Sequence, residues 1–219
     1  MRLHQTFKPD RRRPKQYGES EKCYNRSLEL SKSNVVYDNK ARMLYDWANE
    51  LLEESKNLSN GLDNLKEAKD IILRSINALP GENSEEDIET YLSLRDSINF
   101  YIDYESRFLA NLETLKSHDK SELFTIMGMN FYKNDVMLTP GKPLELVKES
   151  DNEFDKDAIA VYADGKKIGF VANKMYTKCE LTSSASQLQD EIENVAQAEY
   201  LLYLERYADI HFSIGRIIR

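Results

Sequence analysis

The chain changes rhythm once. From Tyr37 the apolar positions Tyr37, Ala41, Leu44, Ala48 and Leu51 recur at steps of four and three, with Trp47 and Leu52 widening the stripe, which predicts an amphipathic helix ending near Lys56. Turn chemistry over Asn57 to Gly61 separates it from a second stripe, Leu62, Leu65, Ala68, Ile72, Ile76 and Leu79, which Pro80-Gly81 stops. A further helix is predicted after Ser84, whose hydroxyl can cap the first turn while Glu85, Glu86 and Asp87 favour the positive dipole end. Its stripe runs through Ile88, Tyr91, Arg95, Ile98, Ile102, Glu105, Leu109, Leu112 and Leu115. From Glu85 to Lys116 it would be about 45 Å long, which calls for antiparallel helical partners. Ser20 to Ser31 suits a short first helix through Tyr24, Leu28 and Leu30. The stretch before it, to about Glu19, has no period and contains Pro9, Pro14 and Gly18, so it reads as an extended arm.

After the polar segment His118 to Glu122 the period becomes two. Leu123 to Met129 predicts a strand with Phe124 and Ile126 on one face, and Pro143 to Lys148 another with Leu144 and Leu146 inward. Ala158 to Ala172 predicts a β-hairpin around Asp164-Gly165, with Ile159 and Val161 sharing one face and Ile168 and Phe170 sharing one face. Ser183 to Ser186 suits the start of a helix through Leu188 and Ile192. Glu199 to Tyr207 and Ile210 to Ile218 read as closing strands, the first alternating at Tyr200, Leu202 and Leu204. Five to six short strands with one to two helices suit a small closed barrel, since closure removes unpaired edges. The expected fold class is α+β, an N-terminal helical bundle followed by a small barrel. Residues 1–19 would be a basic flexible arm, 20–118 a helical domain and 122–219 the barrel domain.

Composition narrows the function classes. The 219 residues carry a formal charge of -8, so the protein is not built to coat a duplex by phosphate neutralisation. The arm is the exception, with Arg2, Lys8, Arg11, Arg12, Arg13 and Lys15 against Asp10 and Glu19. No stretch is long and apolar enough to span a bilayer, and MRLHQTFKPDRRR lacks the apolar segment of a signal peptide, so the expectation is a cytoplasmic protein without membrane partners. Cys23 and Cys179 then stay reduced, each read as a small buried hydrophobe. His4, His118 and His211 are scattered, and no Gly-rich phosphate loop or nucleophile elbow is present. The expectation is a non-enzymatic chain with no cofactor. The loop Glu149, Asp151, Glu153, Asp155 and Asp157 spaces carboxylates as a calcium loop does, but Lys156 stands where the turn needs Gly and Tyr162 where a bidentate Glu belongs. Solvated loop charges are the plainer reading for Glu149, Asp151, Glu153 and Asp157.

The strand FTIMGMNFY, the strand PLELVKES and the run DNEFDKDAIAV followed by GKKIGFVA together resemble the HIRAN domain. The resemblance covers about Glu122 to Arg219 and is strongest from Leu144 to Val171. It implies an OB-like barrel that binds the free 3′ end of single-stranded DNA, an Asp accepting from the terminal hydroxyl and aromatic side chains stacking on the last bases. Carried over, the aromatic pair falls on Phe131 and Tyr132, the loop pair on Phe154 and Asp155, and the preceding Asn on Asn152. Phe170 stands where members have His or Tyr, and Asn130 where end-binding members place Arg, so polar contacts are thinned while stacking surface remains. Lys133, Lys148 and Lys174 are candidates for phosphate neutralisation. For Phe131, Phe154 and Phe170 the competing reading is core packing, and for Asp155 it is a loop residue capping its own backbone. The resemblance also implies a helicase or nuclease partner. A groove that takes a peptide or partner helix is the alternative function.

Overall fold

In the computed structural model, residues 12–55, 61–80, 85–132, 135–206 and 210–218 are described. Among the described residues four helices come first: α1 (Arg12–Leu30), α2 (Asn34–Ser55), α3 (Gly61–Ala78) and α4 (Glu85–Lys116). Six strands follow among them: β1 (Leu123–Met127), β2 (Pro143–Lys148), β3 (Ile159–Ala163), β4 (Lys166–Val171), β5 (Val195–Arg206) and β6 (Ile210–Ile217). A single-turn helix, α5 (Ala185–Leu188), sits between β4 and β5. The fold class is α+β, as the change of rhythm predicts.

The chain forms two compact units, Met1–Ser106 and Arg107–Arg219. In the first, Leu44, Trp47, Ala48 and Leu51 of α2 pack with Leu65, Ala68, Ile71 and Ile72 of α3 and with Tyr91, Leu94 and Ile98 of α4. Helix α1 begins at Arg12, so residues 12–19 of the expected arm are helical; residues 1–11 lie outside the described residues. Pro14 falls in the first turn, where a missing N–H costs no helical hydrogen bond. Tyr17 then stacks on Trp47 at 5.5 Å and donates from its hydroxyl to Glu50 at 3.0 Å, which holds this turn against α2. Cys23, expected to be buried, is exposed on α1.

The second unit begins inside α4, not after it, because Phe108 and Leu115 belong to one buried cluster with Leu123, Leu202, Leu204, Ile214 and Cys179. The strands close in the order β1-β4-β3-β2-β5-β6, with all pairs antiparallel. Phe124, Ile126, Leu144, Leu146, Ile159, Val161, Ile168 and Val171 fill the interior. Asp164 and Gly165 take φ of 51° and 71°, the left-handed pair that the two-residue hairpin requires.

Two irregularities redirect side chains. Between Val161 and Tyr162 the β3–β4 register slips, so Ile168 enters the core while Phe170 pairs across from Ala160 and stands outside it. The expected shared face of Ile168 and Phe170 is therefore wrong: a β-bulge adds one residue to β4 and inverts the alternation beyond it. A second slip between Tyr200 and Leu202 does the same on β5. Tyr200 lines the interior, whereas Leu202 and Leu204 turn outward to the α4 cluster.

Candidate nucleic-acid interface

The loop joining β2 to β3 is ordered by its own polar side chains. Asn152 Oδ1 accepts from the backbone N–H groups of Phe154 at 3.0 Å and Asp155 at 3.2 Å, an Asx-type turn. Asn152 Nδ2 donates to Glu149 Oε2 at 3.1 Å. Asp155 Oδ1 accepts from the Asp157 N–H at 3.0 Å, and Oδ2 accepts from Asn173 Nδ2 at 2.9 Å. Asn173 in turn accepts on Oδ1 from the Ser186 N–H at 3.0 Å. One hydrogen-bonded series thus runs from Glu149 through Asn152 and the loop backbone to Asp155, Asn173 and the start of α5. Asp155 does cap its own loop. Each of its oxygens keeps a second lone pair, and the residue is half-exposed, so it can still accept from a ligand hydroxyl.

Next to this loop lies a ring pair that depends on the β4 bulge. Phe170, turned out of the core, sits with its centroid 6.2 Å from the Tyr132 ring at an interplanar angle of 59°. Met127 of β1 and Ala160 of β3 flank Phe170 as its cross-strand neighbours. Lys167 Nζ lies 4.0 Å from the Phe170 centroid and 5.8 Å from that of Tyr132, within cation–π range of both. The same ammonium donates to Glu149 Oε1 at 2.6 Å. Burial alone would raise the Glu149 carboxyl, but hydrogen bonds from Lys167 and Asn152 and the Lys167 charge outweigh it and hold the pKa below its ordinary value. For Lys167 burial works downward, and the Glu149 hydrogen bond and charge, with Tyr132 and Tyr162 nearby, carry the pKa upward.

The structure therefore brings Tyr132, Phe170, Asn152 and Asp155 of the expected set into one connected arrangement. Phe131 and Phe154 are 87% and 97% exposed, so neither is core. Asn130 and Lys174 are also exposed. Lys148 is engaged, since its Nζ donates to the Gln189 carbonyl at 2.6 Å. Lys133 lies outside the described residues. Glu149, read as a solvated loop charge, is instead half-buried and ion-paired with Lys167. Lys167 and Asn173 were not singled out from the sequence. The Asn at the end of GFVAN offered a weak signal, and so did Lys167, which period two turns outward next to the inward Ile168 without saying which carboxylate it meets. Among the described residues no group of three metal-ligating side chains occurs, and Cys179 is buried with its thiol pKa pushed up by that burial.

The HIRAN domain family model matches residues 121–179, a segment that includes β1, the ring pair and the whole β2–β3 loop. No curated protein matches the chain. Among solved structures, the HIRAN domain of human HLTF aligns at 14% identity and a TM-score of 0.29, covering 43% of this chain and 71% of that one. A protein from Lactobacillus plantarum aligns at 18% identity and the same TM-score of 0.29, covering 45% of this chain and 93% of the other. The strands and loop that build the Asp155 and Phe170 arrangement thus lie within the segment that matches the HIRAN domain model, behind an N-terminal helical region.

Proposed function

We propose that the barrel binds the free 3′ end of single-stranded DNA. The observation that carries this reading is Asp155: a half-exposed carboxylate oriented by Asn173 and by the Asp157 N–H, in a loop tied through Glu149 and Lys167 to the Tyr132–Phe170 rings. A carboxylate accepts from a terminal hydroxyl and repels a phosphate, so it favours an end over strand interior. Stacking on Phe131, Tyr132, Phe154 or Phe170 would add ~1–3 kcal/mol per base with little regard to sequence. Such a slot needs few cations, which is consistent with a chain of charge -8. The module binds without catalysis, and in a cytoplasmic setting it would lend its grip to a helicase or nuclease partner.

The test is fluorescence anisotropy with short single-stranded oligonucleotides in low salt. The 3′-hydroxyl form is expected to bind at least tenfold tighter than the 3′-phosphate form, a difference of about 1.4 kcal/mol, and Asp155→Ala to remove the preference. Equal affinity for both ends sinks the reading. Met175 and Tyr176 are also solvent-facing, at 89% and 80% exposed, and such exposed apolar side chains favour a protein partner as the second reading. Absence of oligonucleotide binding in low salt would leave that one.

A further inference from the structure

We infer that Glu149 is a specificity-determining residue of this interface: by holding the Lys167 ammonium to itself it keeps phosphate off the ring face. The inference rests on the end-binding reading and adds to it the chemistry that the rings accept. Lys167 Nζ lies over the Phe170 ring, 4.0 Å from its centroid, and 5.8 Å from that of Tyr132, where a cation would meet the backbone of a strand whose terminal base lay on Tyr132. Its charge is already answered by Glu149 Oε1 at 2.6 Å. The carboxylate cannot swing away cheaply, because its second oxygen accepts from Asn152 Nδ2 at 3.1 Å and Asn152 also holds the loop backbone at Phe154 and Asp155. An incoming phosphate would have to displace a short charge-assisted hydrogen bond and approach a fixed negative charge. A base or sugar that lies on Tyr132 and leaves the ammonium over Phe170 meets neither cost. The ring pair thus takes the uncharged part of a terminal nucleotide, and the Lys167 ammonium serves the loop and not the ligand.

Glu149→Gln keeps the shape and removes the charge that competes for Lys167. Titration of a short 3′-hydroxyl oligothymidylate against the full chain is expected to show roughly fivefold tighter binding in low salt, the scale of one added charge contact. The plot of log affinity against log salt is expected to steepen by about 0.7, the value for one further phosphate on a single strand. Lys167→Gln alone should leave the slope of the natural protein unchanged, and in the Glu149→Gln background should cancel the gain. Thermal melting checks that each variant is folded. An unchanged slope in folded Glu149→Gln overturns the inference while the Asp155-dependent preference for a 3′-hydroxyl still stands. So does a slope reduced by Lys167→Gln alone, which needs no Glu149 variant to fold. If neither the natural protein nor Glu149→Gln binds the oligonucleotide, the end-binding reading falls, and this one with it.

Discussion

Asn173 joins two loops through one amide, donating to Asp155 Oδ2 at 2.9 Å and accepting from the Ser186 N–H at 3.0 Å. The pairing fixes which way the amide points, since only Nδ2 can donate to a carboxylate and only Oδ1 can accept from a backbone N–H. Ser184 completes the arrangement by capping α5 in a reciprocal box with Gln187, so the Ser186 N–H is presented by an ordered turn. The carboxylate proposed to read a hydroxyl is therefore positioned from outside its own loop.

Replacing Asn173 by Ala removes both bonds and leaves Asp155 Oδ2 without its protein donor. Urea unfolding is expected to show a loss of about 1–2 kcal/mol, and the 3′-hydroxyl preference to weaken with the rings untouched. Asp155→Ala should cost a similar amount, because it strips the acceptor from both Asn173 and the Asp157 N–H. A stable Asn173→Ala variant with full end preference would show that the amide does not orient the carboxylate.

The ring pair depends on how closely β4 passes the end of β1. A Cβ at Gly169 would collide with the Met127 carbonyl oxygen, which is backbone and cannot turn aside. Gly169→Ala is expected to destabilise the barrel by roughly 2 kcal/mol or more, as forced strand shifts do. Gly215→Ala drives a methyl into the Phe124 ring in the barrel interior and should cost a comparable amount. Chemical denaturation of each variant gives the number directly; a midpoint equal to that of the natural protein would mean that the strands have room to part.

Much of this architecture can be read from periodicity. The Asp164-Gly165 hairpin, the bounds of β2 and the helices around Leu44, Leu65 and Ile98 all follow from local residue choice. The site was half legible: Asn152, Asp155, Tyr132 and Phe170 could be named, but their connections could not. A bulge adds one residue without changing composition, so the outward turn of Phe170 left no local trace, and the bond of Lys167 to Glu149 joins residues 18 apart that no local pattern links. The same holds for Leu202 and Leu204, which face α4 and not the interior because of the slip after Tyr200. Helix α1 starts earlier than expected for a different reason: Tyr17 finds Trp47, a contact thirty residues away in sequence that propensity cannot anticipate.

The Glu149–Lys167 pair gives stability a pH dependence of definite sign. Glu149 has a folded pKa below the ordinary 4.5, so its contribution is complete above that value and disappears as pH falls through the lowered one. Lys167 is raised above 10.5, so its contribution is complete below that value and is lost as pH rises through the raised one. Between these limits the natural protein should exceed Glu149→Gln in unfolding free energy by a constant margin. That margin is expected to shrink below pH 4.5, measured by urea midpoints across the acid range. A margin independent of pH would assign the effect to shape and not to charge.

Phe131 and Phe154 separate a binding role from a structural one most cleanly, because they contribute almost nothing to packing. Both side chains are nearly fully solvent-exposed, at 87% and 97%. Phe154 is held by its backbone N–H to Asn152 Oδ1, a bond that any side chain at that position would keep. Replacement of either by Ala should then change unfolding free energy by no more than about 0.5 kcal/mol, the usual range for surface sites. If their rings stack on terminal bases, each replacement should weaken oligonucleotide binding by about 1–3 kcal/mol with no change in the salt slope, since stacking neutralises no phosphate. Unchanged stability with unchanged oligonucleotide affinity would remove both residues from the nucleic-acid interface and leave them as contacts for a protein partner.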